Sequence, residues 1–322
     1  MSGVDGKAAR REVWSTYWAQ GALHSCVGSF DERYSGAIGA FWDDIVATMA
    51  AGTRVLDLAT GNGALPVRVW KHHGNRVHVD AVDLAALAPP WYQPADHESI
   101  AFHAGVLMEA LPVADGGHDW VVSQYGFEYA DRDAALSECL RVLAPQGRLA
   151  FVMHHVDSVL VAVGREELAN IECLLAADGL VQAAWEAIPW IARAGSGDSD
   201  VAANPDAMRA RAGYNAAMAR LAGAIAATSV PDALVEGRQR VHGLLSGARA
   251  SGAQAALEAL HGYRDVLRGA ALRTGEMLDH ALDAGQVQAI VARLRAARPA
   301  ATVEARPLRQ AEGVLGWALS CL

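Results

Sequence analysis

Three groups of residues in this 322-residue sequence have types and spacings suited to chemistry. The first pairs two acids with a turn of small residues. Asp57 stands just before Ala59-Thr60-Gly61-Asn62-Gly63, and Asp83 follows Gly61 by 22 residues. Small residues let a backbone approach a ligand closely, and the amides that open the next helix donate hydrogen bonds to it. An acid on the following strand, at that distance from the turn, is placed to receive two ribose hydroxyls. The second group is Gln124-Tyr125-Gly126-Phe127-Glu128-Tyr129, which joins an amide, two phenols and a carboxylate. The third is His154-His155, whose imidazoles take up protons near neutral pH.

Elements that position these groups are legible around them. Residues 54–58 are a short apolar run broken by Asp57, read as a buried strand, and residues 65–70 change to helical periodicity. Further strands are expected at 76–82, 100–104, at a run ending in 123, and at 148–153. Asp131 caps a helix reaching about residue 143, and residues 144–147 turn into the fifth strand. Alternating strands and helices predict an α/β domain with a parallel sheet. The three chemical groups then fall at the carboxyl ends of strands one, two, four and five. His154 and His155 point to opposite sides if the strand continues, so at most one faces a pocket.

The turn excludes two readings. It lacks the first glycine of a dinucleotide fingerprint, and no Gly-Lys-Ser/Thr follows as a phosphate loop requires. Asp57 suits a ligand with a positive end better than a pyrophosphate. Asp57-Leu58-Ala59-Thr60-Gly61-Asn62-Gly63 resembles motif I of the class I S-adenosylmethionine (SAM) methyltransferases, with alanine at the first glycine. Glu109-Ala110-Leu111-Pro112 and Leu140-Arg141-Val142-Leu143-Ala144-Pro145-Gln146-Gly147 resemble later segments of the same family, in the same order. The acid that usually accepts the adenine amino hydrogen falls on Leu107. Ala88-Pro89-Pro90-Trp91-Tyr92 looks like an amino-methylation signature, yet follows the second strand where that signature follows the fourth. It is read as a loop.

The resemblance covers about 53–153 and 285–322. It implies a Rossmann-like, doubly wound, seven-stranded sheet of order 3-2-1-4-5-7-6 whose last strand is antiparallel. The strands expected at 301–305 and 314–320 would be its sixth and seventh, after a helix over 285–297. It implies SAM as cofactor and S-adenosylhomocysteine (SAH) as product. The residues it assigns to the cofactor are Asp57, Ala59, Thr60, Gly61, Gly63, Asp83, Leu84, Leu107, Met108 and Gln124. Candidates beside the transferred methyl are Tyr125, Glu128, His154 and His155. The implied activity is methyl transfer to an oxygen, nitrogen or carbon nucleophile of a small metabolite. One alternative is a SAM-binding scaffold or subunit without turnover. Another is an oxidoreductase using the same crevice, which would bind NAD.

The remaining chain reads as helical. Residues 1–9 look frayed, a helix is expected over 10–20, and Ser29-x-x-Glu32 is a capping box opening a helix to about residue 51, stopped by Gly52. The resemblance implies that such an N-terminal segment, 1–50, closes over the cofactor, and Trp14, Tyr17, Trp18 and His24 are read as packing it on the domain. After residue 157 helices are expected at 158–178, 181–194, 206–229, 231–248 and 252–282. This insertion, 158–284, is expected to cap the acceptor side of the pocket, with a homodimer surface as the alternative role.

Composition narrows the class. The chain is 52% hydrophobic and 20% charged, with a formal net charge of -9. That balance argues for a small acceptor and against a nucleic-acid surface. Four scattered cysteines, Cys26, Cys139, Cys173 and Cys321, have no metal spacing and suggest reduced thiols in the cytoplasm. No apolar run has the length of a membrane span, so no membrane partner and no metal are expected.

Overall fold

A computed structural model describes residues 3–25 and 34–322. Two compact units are present, one of residues 1–161 with 276–322, the other of residues 162–275.

The first unit is built on one sheet. Its strands are β1 (Arg54–Leu58), β2 (His78–Asp83), β3 (Ile100–Ala104), β4 (His118–Gln124), β5 (Leu143–Met153), β6 (Val303–Gln310) and β7 (Gly313–Cys321). The order is β3-β2-β1-β4-β5-β7-β6, with β7 antiparallel to both neighbours. This is the sheet the sequence resemblance implies. Leu56, Leu58, Val121, Leu149 and Phe151 face one side of it, with Leu136, Val287 and Leu294 packed there. Those last three come from α4 (Arg132–Val142) and α10 (Ala284–Ala297). The other face buries Val55, Val79, Val122 and Val152 against α2 (Gly36–Ala47) and α3 (Ala64–His73). Alternate residues of each strand therefore meet a helical layer on each face, as a two-sided α/β core requires. The sheet reverses its winding between β1 and β4, which opens a crevice at their carboxyl ends.

Several boundaries differ from the sequence expectation. The first helix, α1, starts at Gly3 and ends at Trp18, so residues 3–9 are helical. Its inner face carries Arg10, whose guanidinium bonds Glu276, His280 and the Tyr129 carbonyl; this tertiary anchoring holds the first turns. The capping box at 29–32 lies outside the described residues, and Ser35 is the N-cap of α2. That helix stops at Ala47 because both the amide and the hydroxyl of Thr48 turn back to the Ile45 carbonyl. Gly52 instead forms the turn into β1, with φ +86°. β5 begins at Leu143, since His118 pairs with Leu143 and Trp120 with Arg148, and the intervening residues bulge out between those rungs. β6 runs to Gln310, five residues past the expected end, because β7 pairs with it along its whole length.

The second unit is helical. It holds most of α5 (Val159–Leu175), all of α6 (Leu180–Gly195), α7 (Pro205–Ala227) and α8 (Asp232–Ser251), and most of α9 (Ala253–His280). Gly179 does not end a helix as expected; it is the N-cap of α6. Leu174, Leu180, Ala184, Ile188, Leu234 and Leu260 form its core. Gly237 lets α8 close on its neighbours, since a Cβ there would lie 2.9 Å from a Leu174 methyl.

Candidate active site

The crevice at the carboxyl ends of β1, β2 and β4 is lined by Asp57, Ala59, Thr60, Asp83, Leu84, Leu107, Met108, Gln124 and Tyr125. Nearly all the residues expected to hold a cofactor thus converge. Gly61 and Gly63 form the turn itself. Both have positive φ, +54° and +80°, and a Cβ on Gly61 would lie 2.6 Å from the Trp18 ring. Only glycine fits that approach. Ala59, at the place of the first glycine, holds φ +51°, a left-handed conformation that costs an L-residue ~1–2 kcal/mol. Its methyl is accommodated because Gly126 has none; a Cβ there would lie 2.4 Å from it.

Asp83 at the end of β2 is tied to the turn. Its Oδ2 accepts from the Gly61 amide and its Oδ1 from the Ala85 amide, both at 2.8 Å. The Leu84 amide also bonds this carboxyl, and a carboxylate's roughly four lone-pair sites leave room for a ligand besides these amides. Burial raises its pKa despite these bonds. Asp57 is buried in its strand, and burial pushes its pKa up to about 8; the Thr60 hydroxyl beside it pulls the other way, and repulsion from Asp83 adds a smaller rise. Asp57 Oδ2, Thr60 Oγ1 and Gln124 Nε2 are buried without a hydrogen-bond partner among the described residues. Buried polar atoms are rarely left so. Three of them around one crevice fit a polar ligand that supplies the missing bonds. The Gln124 carbonyl is fixed by the Trp42 indole N–H, which leaves its amide N–H groups for such a ligand.

The four residues placed beside the methyl path separate into layers. Tyr125, at φ +53°, lines the cavity, and its hydroxyl donates to the Leu315 carbonyl. Glu128 is fully buried behind it. One oxygen, Oε1, accepts from both the peptide N–H (2.8 Å) and Nδ1 (2.7 Å) of His154. With the peptide N–H already donating to this oxygen, Nδ1 of His154 is placed to donate to it as well. The His154 ring stacks on Tyr125 at 4.2 Å and meets the edge of Tyr129, which also lines the cavity. His155 points elsewhere: its ring stacks on Trp317, its Nδ1 accepts from the Asp157 amide, and burial lowers its pKa. Neither histidine is part of the cavity wall.

The far wall comes from the N-terminal segment, which the resemblance implies closes over the cofactor, although its individual residues were not assigned to the site. Lys7, Arg10, Arg11, Trp14 and Trp18 of α1, with His24, line the same cavity. The spacing 7, 10, 11, 14, 18 is one helical face, which was the available signal. Lys7 reaches Glu109 at 3.3 Å, and the Asn62 amide donates to the carbonyls of Trp18 and Ala22. The tryptophans were read as packing, and Trp18 does pack on Ala22 and Ala85.

A family profile described as "Methyltransferase domain" matches residues 55–147, the stretch from β1 into the β5 bulge. Residues 55–147 of this chain thus match a methyltransferase domain. Similar proteins include a demethylmenaquinone methyltransferase of Thermus thermophilus, 39% identical over 32% of this chain and 48% of its own. A ubiquinone/menaquinone biosynthesis C-methyltransferase of Methylobacterium nodulans is 33% identical over 43% of this chain and 62% of its own. The chain thus spans about half to three-fifths of these relatives. A solved SAM-dependent methyltransferase from Aquifex aeolicus overlaps 36% of this chain and 65% of its own, with 19% identity and a TM-score of 0.33. The matched residues cover β1 to β4 and the strand-end wall of the crevice; the α1 wall and the helical unit at 162–275 lie outside them. No helix among the described residues is long and apolar enough to cross a membrane.

Proposed function

We propose that this protein is an enzyme that transfers the methyl group of SAM to a nucleophilic oxygen, nitrogen or carbon of a small metabolite. The observation that carries the reading is the coupling of Asp83 to Gly61 across a crevice with three unpartnered buried polar atoms. SAM supplies a sulfonium methyl that leaves behind a neutral thioether. The residues of this chain then need only bind, align and manage a proton. In this reading Asp83 receives the ribose hydroxyls, and Leu84, Leu107 and Met108 enclose the base. Gly61 and Gly63 admit the methionine end, and Gln124 donates to it. Ala59 and Thr60 complete that wall.

Tyr125 bounds the acceptor side. Glu128 holds His154 behind Tyr125, outside the cavity wall, so in this reading His154 acts by fixing the Tyr125 ring that faces the acceptor. His155, packed on Trp317, serves that role less well. The two relatives are named for quinone precursors, so quinol-type acceptors enter the test first.

The helical unit follows β5 in the chain, and a part for it in acceptor binding is tested by hydrogen exchange. Slowed hydrogen exchange in residues 162–275 on acceptor binding is the expected sign. Concentration-dependent dimerisation with unchanged exchange would replace the cap with a dimer surface. For the function itself, calorimetry with SAM comes first, followed by labelled methyl transfer to hydroxyl, amine and acidic-carbon acceptors. Absence of SAM binding refutes the reading. Binding with no transfer to any acceptor favours the scaffold alternative, which the strained Ala59 and the apolar Leu107 motivate.

A further inference from the structure

Asp57 is the one carboxyl of the cavity wall placed in mid-strand, and it is 2% exposed. Its register neighbours, Ala81 on β2 and Val122 on β4, are apolar. Its Oδ2 has no hydrogen-bond partner among the described residues. The charged group that acts on it is another carboxylate, Asp83. Thr60 and Gln124 face the same space as neutral groups, while His24 and the cations of α1 stand on the far wall. Two of those cations, Lys7 and Arg10, are already paired with Glu109 and Glu276. The Thr60 hydroxyl beside it favours the ionised form, but burial outweighs that help, so a carboxyl so placed keeps its proton until a cation reaches its unpartnered oxygen. Its pKa of about 8 is consistent with a proton held at neutral pH.

Resting on the reading of this crevice as a SAM site, we propose that cofactor binding is coupled to proton release from Asp57. The O–H bond of its carboxyl breaks, the proton passes to the solvent buffer, and the carboxylate becomes the counter-ion of a positive group on the cofactor. SAM carries two such groups, the sulfonium and the α-ammonium. SAH keeps only the ammonium. If the sulfonium is the partner, methyl transfer removes the charge that held Asp57 ionised, and reprotonation loosens the product.

The test is titration calorimetry of SAM and SAH into the whole protein at pH 7.5 in phosphate and in Tris, whose ionisation enthalpies differ. The wild type is expected to release a measurable fraction of a proton per SAM bound, because burial raises the Asp57 pKa. Release falls toward zero above pH ~9, and SAM affinity rises about tenfold per pH unit below ~8 and then levels. Asp57→Asn, similar in shape and unable to ionise, is expected to release none and to bind SAM with little pH dependence. Release with SAM alone assigns the sulfonium, and release with both ligands assigns the ammonium. Identical SAM heats in the two buffers overturn the coupling, as does undiminished release from the Asn variant. The wild-type measurement stands alone if that variant fails to fold. Failure of the wild type to bind SAM at any pH refutes the site itself rather than the coupling.

Discussion

Replacing Asp83 by Asn tests the cofactor reading most directly. Each oxygen of Asp83 already accepts one amide, from Gly61 and Ala85, at 2.8 Å. The lone-pair capacity left beside these amides is assigned to a ribose diol. Asn keeps the size, loses the charge, and turns an N–H group toward one of the two amides. Two charge-assisted hydrogen bonds of this kind contribute together ~2–4 kcal/mol, so SAH affinity is expected to fall about 30- to 700-fold. The loss has two sources, the ribose contact and distortion of the Gly61 turn. Calorimetry with SAH and with its 2′-deoxy analogue separates them. If Asp83 bonds the diol, the deoxy analogue binds the wild type more weakly, and the Asn substitution then costs it much less than it costs SAH. Equal losses for both ligands would show that Asp83 acts only through the turn, and an unchanged SAH affinity would remove it from the site.

Other substitutions report on strain, anchoring and pH. Gly126→Ala is expected to destabilise by ~1–3 kcal/mol, because its Cβ would lie 2.4 Å from that of Ala59; adding Ala59→Gly should restore most of the loss in denaturant titrations. Glu128→Ala leaves the peptide N–H and Nδ1 of His154 unpaired in a buried site, and a loss of about 2–4 kcal/mol is expected by the same measurement. His280 accepts from Arg10, and burial, followed by the Arg10 charge, holds its pKa below the usual 6.5. The unfolded chain therefore binds the extra proton first. This contribution to stability is complete above pH ~6.5 and declines as the pH falls through the lowered folded value. Trp14 and Trp18 fluorescence should report loosening of α1 in that acid range, with His280→Gln, which keeps an acceptor, less sensitive.

Much of the site was legible in the chain itself because its signals are local. A small-residue turn after an apolar strand needs positive φ at Gly61 and Gly63, and an acid ending the next strand lies beside that turn in any right-handed β-α-β unit. Motif order along the sequence carried the strand order through the resemblance, including the antiparallel β7. Even the departure at Ala59 was visible, although its left-handed φ and the space given by Gly126 were not. What only the tertiary structure decided depends on residues far apart in sequence. Arg10 meets Glu276 and His280 across more than 260 positions, which makes a weak helical start into a formed α1 lining the cavity. Strand alternation separates His154 from His155, yet which of them meets Glu128 follows from the backbone after β4 and the seat of Trp317 on β7. Periodicity reports which face of an element is apolar. It says nothing of which distant group will meet its polar atoms, and the protonation of Asp57 is set there.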